Sequence, residues 1–417
     1  MQTQAPRPGH ALQLLRGAQQ YFPALIRDID QARREVRIET YIFDFTLGAG
    51  EVAQALVRAA QRAVSVFVLV DAVGSGTMPP AWRDSFKRSG VEFELFSPVG
   101  RLDVVNIRAW RRLHRKLCLI DGQVAYCGGI NLLDDFYDPN HGALAEPRWD
   151  FCVRVTGPLA HDVRRALLQL WGRVSAVREA REHDISAAWH ALRDSRFTLM
   201  EEEAPGHEPE PQFGTGDEPS TGKPGALARA ALLLRDNVSH RTSIERAYRK
   251  AIGEARREVI IANAYFVPGA RMRKALREAA RRGVRVVLLL QGRYEYFMQY
   301  HAARAVYGRL LKEGIEIHEY APSFLHAKVA VVDGHWATVG SSNLDPFSIL
   351  LAREANLVVE DEPFAKQLRT EIMDAIQNGG VMVDPAVYAR RPWRQRMLDL
   401  LAYGLMRLML LLARRKY

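Results

Sequence analysis

The 417-residue sequence predicts an α/β fold built twice. Three observations predict it. Strand-like and helix-like segments alternate through both halves, as in α/β units. Short stretches echo each other: Ala59-Ala-Gln-Arg-Ala-Val64 against Ala279-Ala-Arg-Arg-Gly-Val284, and Ser89-Gly-Val-Glu-Phe93 against Glu313-Gly-Ile-Glu-Ile317. One pattern also occurs twice. His114-x-Lys116-x4-Asp121 is closed by Gly128-Gly129-Ile130-Asn131, and His326-x-Lys328-x4-Asp333 by Gly340-Ser341-Ser342-Asn343. With 12 His in the chain, two copies sharing the same downstream Asn are not a chance expectation.

Taken in order, Leu12 to Arg34 carries helical periodicity through Leu15, Tyr21, Phe22, Leu25, Ile26 and Ile29. Glu35 to Phe43 alternates and then turns apolar, as a strand entering a core does. Gly50 to Arg62 reads as a helix, Val64 to Val70 as a buried strand, Trp82 to Arg88 as a helix and Val91 to Phe96 as a strand. After the first motif, Trp149 to Val155 is a strand and His161 to Val177 a helix. The second half repeats the order. Helices are expected at Ile244 to Arg256, Ala270 to Arg282 and Val306 to Lys312, and strands at Val259 to Val267, Val284 to Leu290 and Ile315 to Tyr320. Between the halves, Glu201 to Gly225 is rich in Glu, Pro and Gly and reads as a linker, with a lid as its other reading.

Each motif looks like a β-hairpin. Asp121-Gly122 and Asp333-Gly334 lie between apolar runs, a strong hairpin signal. Residues i and i+2 of a strand share a face, so His and Lys project together. Folding each hairpin about its turn returns Asn131 beside His114 and Asn343 beside His326, with Ser341 nearby. Seven strand residues span roughly 23 Å, so Asp121 and Asp333 are expected to hold the hairpin turns, far from any reacting atom.

An imidazole can attack and shuttle protons near neutral pH. Lys, Asn and Ser supply donors without negative charge, which suits phosphate oxygens. Two such sets at one phosphorus provide a nucleophile on one side and a general acid on the other. A nucleophilic His also needs an acceptor on its far nitrogen. Glu354, 11 residues past Asn343, is the candidate for His326, and Asp150 the candidate for His114. Tyr41 and Tyr265, at matching strand ends, are candidates for the mouth. No metal is implied, because the cationic side chains already do its charge work.

The net charge is +10, which points to an anionic partner, lipid head groups or nucleic acid, or else to an Arg-rich proteome. Cys118, Cys127 and Cys152 show no metal spacing and are expected to fill core strands in a reducing compartment. No run of 18 apolar residues predicts a transmembrane helix, and Met1 to His10 lacks the apolar region of a signal peptide. Ser97 to Leu113, an apolar and cationic loop before His114, suits lipid entry or simple packing. Trp393 to Tyr417 reads as a helix. Arg396, Asp399, Tyr403, Arg407 and Arg414 form one stripe, and Met397, Leu400, Leu401, Leu405, Leu408, Leu411 and Leu412 much of the rest. With basic ends, it fits a helix lying in a membrane interface; the other reading packs it on its own core or on a second subunit.

The duplicated motif resembles the phospholipase D superfamily. The His-Arg-Lys form of the first copy and its Gly-Gly-Ile-Asn closure look like the bacterial cardiolipin synthases, particularly the B type. The resemblance covers nearly the whole chain apart from the middle linker. It implies an α/β fold of two duplicated phospholipase D-like αβα sandwich domains, packed about a pseudo-two-fold axis with one shared active site. The expected division is residues 1–196, a linker at 197–225, a second domain at 226–392 and a C-terminal helix at 393–417. The resemblance also implies His114 as nucleophile and His326 as acid/base, with Lys116, Lys328, Asn131, Asn343 and Ser341 on the phosphate oxygens and Glu354 and Asp150 supporting the imidazoles. No cofactor is implied. The partner is then an anionic phospholipid, phosphatidylglycerol, met at the membrane surface through 393–417 and 97–113, on the cytoplasmic side of a bacterial inner membrane. Phosphatidyl transfer between two phosphatidylglycerols is the expected reaction. The site alone fits equally a phospholipase or a phosphodiesterase nuclease. The hydrophobic C-terminal helix weighs against nucleic acid, and two intact motifs weigh against a membrane tether with a silent site.

Overall fold

The computed structural model describes residues 5–98, 111–181, 227–236, 241–345 and 352–415. The strands of the first half are β1 Arg7–Arg16, β2 Glu35–Thr40, β3 Ser65–Asp71, β4 Glu92–Phe96, β5 Arg112–Leu113, β6 Leu117–Ile120, β7 Val124–Gly128, β8 Tyr137–Asp138, β9 Gly142–Ala143 and β10 Phe151–Thr156. Those of the second are β11 Ala228–Arg235, β12 Glu258–Asn263, β13 Arg285–Gln291, β14 Glu316–Tyr320, β15 Lys328–Val332, β16 Trp336–Gly340, β17 Ala352–Glu360 and β18 Gly380–Met382.

Among the described residues, sixteen of these strands form one mixed sheet. Outward from β1 the order is β10-β7-β6-β2-β3-β4, and outward from β11 it is β17-β16-β15-β12-β13-β14. The identical sequence of strands places a pseudo-two-fold between β1 and β11, which pair antiparallel at the centre. β2, β3 and β4 run parallel, as do β12, β13 and β14, and each parallel set meets its hairpin through an antiparallel neighbour.

Helices cover both faces. Helices Gly17–Gln31, Leu47–Gln61 and Pro80–Ser89 bury Phe22, Leu25, Ile29, Val52, Leu56 and Phe86 against one side of the first half. Helices Ser243–Glu254, Ala270–Arg281 and Phe297–Leu311 do the same in the second, through Ile252, Leu276 and Leu310. A third core lies between the halves, where helices Leu159–Arg181 and Glu362–Gly379 bring Val163, Leu167, Leu368 and Ile372 against Phe151, Leu119, Val329 and Leu357. This shared core fixes the two halves of the sheet to each other, so groups at the ends of their strands meet at fixed distances.

Both hairpins form as expected, β6–β7 about Asp121-Gly122 and β15–β16 about Asp333-Gly334. φ is +52° at each Asp and +72° and +71° at the glycines, the doubly left-handed geometry of a type I′ turn. The Asp121 carboxylate accepts the N–H groups of Arg33, Arg34 and Glu35; Asp333 accepts those of Arg256, Arg257 and Glu258. Each therefore ties its hairpin to the entry of the neighbouring strand, β2 or β12.

Leu12 to Arg16 is not helical. It belongs to β1, pairs with Val155 to Phe151 of β10, and the helix begins only at Gly17. His10, Leu12 and Leu14 alternate toward the interior, and pairing with β10 outweighs the helical spacing that follows. The helix expected at Val306 to Lys312 begins earlier, at Phe297, and the strand expected to reach Val267 stops at Asn263. Cys118, Cys127 and Cys152 are free and buried in the sheet. The 201–225 stretch and most of the 97–113 loop lie outside the described residues.

Candidate active site

The two His-x-Lys motifs open at the same place between the halves. Main-chain bonds across the interface set this position. His114 N–H donates to the Arg353 carbonyl at 3.0 Å, and His326 N–H to the Trp149 carbonyl at 2.9 Å. β5 runs parallel to the start of β17, and Trp149 bridges Leu325 in the same sense. Each motif thus enters its hairpin alongside the other half's acid-bearing strand.

The consequence is an exchange of partners. His114 Nδ1 lies 3.1 Å from Glu354 Oε2, and His326 Nδ1 lies 2.6 Å from Asp150 Oδ2. The expected pairing within each half, Glu354 with His326 and Asp150 with His114, is therefore wrong. The acids were correctly chosen, but the strands carrying them reach across the pseudo-two-fold. A carboxylate on Nδ1 fixes the tautomer with its hydrogen there and leaves the Nε2 lone pair for chemistry. The acids are sealed while both imidazoles keep 17% of their side-chain surface open.

Electrostatics treat the six groups as one cluster. Burial lowers His114 below its ordinary value; Glu354 pulls it back up, while Lys116 and Lys328 oppose. Burial and then Lys328 bring His326 to about 3 despite Asp150. Burial lowers Lys116 to about 7 and Lys328 to about 8, the carboxylates of both halves resisting. For Glu354, burial pushes upward but is outweighed by His114, Arg235 and Lys116, which hold it at about 2. Asp150 is likewise lowered: burial raises it, and Lys328 and His326 prevail. Each lysine feels the charges of both halves, so both motifs share a single site.

The supporting residues fall into place around this cluster. Lys116 Nζ donates to the His114 carbonyl at 2.8 Å, and Lys328 Nζ to that of His326. Ser341 is fully buried and its hydroxyl donates to Glu354. Ser341 is thus engaged in orienting an acid rather than presented to a phosphate oxygen. At the matching position, a Cβ on Gly129 would stand 2.3 Å from Asp150 Oδ1, so only glycine leaves room for that carboxylate. Asn131 Oδ1 accepts from Ile42 N–H at 3.2 Å, whereas Asn343 Oδ1 has no protein donor among the described residues. The Tyr41 ring lies 5.0 Å from the His114 ring and 5.5 Å from Lys116 Nζ. Tyr265 donates its hydroxyl to Glu295 at 2.7 Å. Asp121 and Asp333 stay at the far turns.

Sequence reasoning missed three groups. Arg235, buried at the end of β11, lies 3.5 Å from the Glu354 carboxylate. Asp71 and Gln291 end the matching strands β3 and β13, and accept the N–H of Leu113 and Leu325, the residues just before the two histidines. Their position at the carboxyl ends of parallel strands, where α/β sheets build sites, is the signal that could have found them.

Comparison with known proteins identifies the family. A family model described as "Cardiolipin synthase, PLD-like domain" matches residues 25–147 and again 248–375. Cardiolipin synthase B of Escherichia coli (strain K12) is 36% identical over 405 residues, covering 96% of this chain and 89% of that protein. Cardiolipin synthase A of Erwinia tasmaniensis is 30% identical over 95% of this chain and 75% of its own length. The crystal structure of phosphatidylserine synthase from Haemophilus influenzae Rd KW20 superposes with a TM-score of 0.65, covering 98% of this chain and 96% of that one, at 14% identity, which shows the shared fold. With two copies of the domain and near full-length similarity, the chain belongs to the cardiolipin synthase, PLD-like family.

Proposed function

We propose that this chain is a phosphatidyltransferase that makes cardiolipin from two phosphatidylglycerol molecules and releases glycerol. The observation that carries the reading is the pair of imidazoles, each anchored through Nδ1 on the other half's carboxylate and each in the field of both Lys116 and Lys328. In the first step His114 Nε2 attacks phosphorus. The N–P bond forms, the P–O bond to glycerol breaks, and His326 supplies the proton that leaves with the glycerol oxygen. In the second, His326 takes the proton from a hydroxyl of the other phosphatidylglycerol, whose oxygen displaces His114 from phosphorus. The order of the two histidines rests on resemblance to the family. Lys116 and Lys328, with Asn131 and Asn343, would neutralise and hold the non-bridging oxygens. Burial lowers both histidine pKa values and so favours the neutral imidazoles. The anionic phosphodiester adds negative charge beside the two lysines and raises His326 toward the protonated state that the first step needs.

The lipid would be met at a membrane surface, peripherally and on the cytoplasmic face of a bacterial inner membrane. No helix among the described residues is long and apolar enough to cross a bilayer. The C-terminal helix Trp393–Arg415 instead packs through Asp399, Ala402 and Met406, with Asp399 2.8 Å from His301 Nδ1 and 3.0 Å from Arg391, while Arg396 and Arg407 of the expected polar stripe stay exposed. Its apolar face is left outside, with Trp393 70%, Leu401 63% and Leu400 56% exposed. Such an outward apolar face suits burial at the head-group boundary.

The test is incubation with phosphatidylglycerol vesicles and, separately, with plasmid. Cardiolipin with stoichiometric glycerol is expected. Phosphatidic acid alone would make the chain a phospholipase, and nicked DNA a nuclease.

A further inference from the structure

One buried carboxylate holds the His114 side of the cleft from two directions. Asp71 ends β3 and is fully buried. Its Oδ2 accepts the N–H of Leu113, the residue before His114, at 2.7 Å. Its Oδ1 accepts from Arg112 at 3.2 Å and from the N–H groups of Val73 and Gly74 at 2.9 and 3.2 Å. The same carboxylate therefore ties the segment that delivers His114 to the turn that leaves β3.

That turn clamps Tyr41. Ser75 Oγ donates to the Tyr41 carbonyl at 3.0 Å and accepts the Phe43 N–H at 3.1 Å, while the Ser75 N–H returns to the Asp71 carbonyl at 3.0 Å. Gly74 lies so close that a Cβ there would stand 2.3 Å from the Tyr41 carbonyl oxygen and 2.8 Å from its ring. The clamped ring packs on the His114 imidazole, 5.0 Å between centroids, with Lys116 Nζ 5.5 Å away. Asp71 thus reaches His114 twice, through the chain before it and through the ring beside it.

The other half is built differently. At the matching end of β13, Gln291 is neutral, and its Oε1 accepts the N–H groups of Leu325 and Arg293 at 3.3 and 3.4 Å. Gly292 then turns to the neighbouring strand, its N–H on the Tyr320 carbonyl at 3.1 Å. Hydrogen bonds to an ionised acceptor are shorter and roughly twice as strong as neutral ones. One histidine is held by a charged hub and the other by a weaker neutral one. An attacking nitrogen has one line of approach to phosphorus, whereas a proton carrier serves two different oxygens.

We propose that Asp71 is a positioning residue for His114, fixing the line along which Nε2 attacks phosphorus and leaving the proton transfers of His326 untouched. This rests on the phosphatidyl-transfer reading above, with His114 as nucleophile. Asp71 also acts on Lys116. Burial lowers that ammonium to about 7, and Glu354, Asp150 and Asp71 resist.

Asp71→Asn keeps the size and removes the charge. Ser75→Ala keeps every bond of the Asp71 side chain and loosens Tyr41 alone, so it decides the matter if the first variant does not fold. With enzyme in excess over vesicles of head-group-labelled phosphatidylglycerol, the rate of glycerol release reads the first step. The ratio of phosphatidic acid to cardiolipin reads how the intermediate is then shared between water and lipid acceptor. Asp71→Asn is expected to slow glycerol release about 10²-fold, and Ser75→Ala roughly fivefold, because a displaced nucleophile loses its alignment. The product ratio is expected to stay that of the wild type, and Asp71→Asn to move the alkaline fall of kcat/KM to lower pH. A purely structural role would lower the melting temperature alone. Glycerol release per folded molecule that is unchanged in the variants that fold, or slowed with a shifted product ratio, overturns the assignment. Absence of any glycerol release by the wild-type chain would instead remove the reading beneath it.

Discussion

His326 Nδ1 and Asp150 Oδ2 stand 2.6 Å apart although 176 residues separate them in the chain. With its counterpart His114–Glu354, this contact makes the active site a property of the interface between the halves. Neither motif histidine finds its carboxylate within its own half. The shared core of helices Leu159–Arg181 and Glu362–Gly379 is therefore as necessary to the chemistry as the motifs themselves.

The crossed pairing predicts a crossed response. Glu354 raises the His114 pKa, so Glu354→Gln should lower it further; Asp150→Asn should do the same to His326. Each substitution should cost roughly 10²–10⁴-fold in turnover. Histidine NMR titrations of the two variants check the assignment. Shifts on the histidine of the same half would contradict it.

Removing either imaged nucleophile or acid should end catalysis. His114→Ala and His326→Ala are each expected to reduce turnover by at least about 10³-fold. EDTA should leave the wild-type rate unchanged, and strong inhibition by the chelator would argue against the two-histidine mechanism.

Lysine titration should set the alkaline limb of the rate profile. Lys116 at about 7 and Lys328 at about 8 are protonated below those values and neutral above them. As pH rises from 7 to 9 the free enzyme loses the positive charge that receives phosphate, so kcat/KM should fall. On the acid side burial lowers His114, so loss of its neutral, attacking form should come at more acid pH than for an ordinary imidazole. A profile still rising between pH 8 and 9 would conflict with phosphate capture by these lysines.

Asp333 should matter to stability and not to chemistry. Its carboxylate accepts three main-chain N–H groups, which outweigh burial and lower its pKa. That stabilisation is present above the ordinary aspartate range and lost as pH falls through the lowered pKa. Asp333→Ala should cost about 1–3 kcal/mol in denaturant melts, with turnover per folded molecule retained.

The C-terminal helix offers a clean membrane test. Deleting 393–417 would also uncover Val267 and Ala302, which pack against the buried Met406. Leu401→Glu with Leu405→Glu instead alters only exposed positions, 63% and 50% open. The double variant should keep its melting temperature and lose binding to anionic vesicles in a flotation assay. Undiminished flotation would assign the apolar face to another partner.

Local spacing was enough to determine the hairpins, the positions of His114, Lys116, His326 and Lys328, and the turn roles of Asp121 and Asp333. A two-residue strand period and an Asp-Gly turn act over a few residues, and nothing distant can change which side chains they bring together. Leu12 to Arg16 shows where this stops. Its apolar spacing allows a helix, and only pairing with β10 makes it a strand. Asp150 and Glu354 show the same limit within the site: sequence distance put each with its own half, and packing exchanged them. The place of Gln291, accepting the Leu325 N–H just before His326, was not legible at all, because it is defined by what folds around it. Contacts between residues far apart in the chain depend on how the two halves join, and that joining is decided by the β1–β11 pairing and the shared core as a whole.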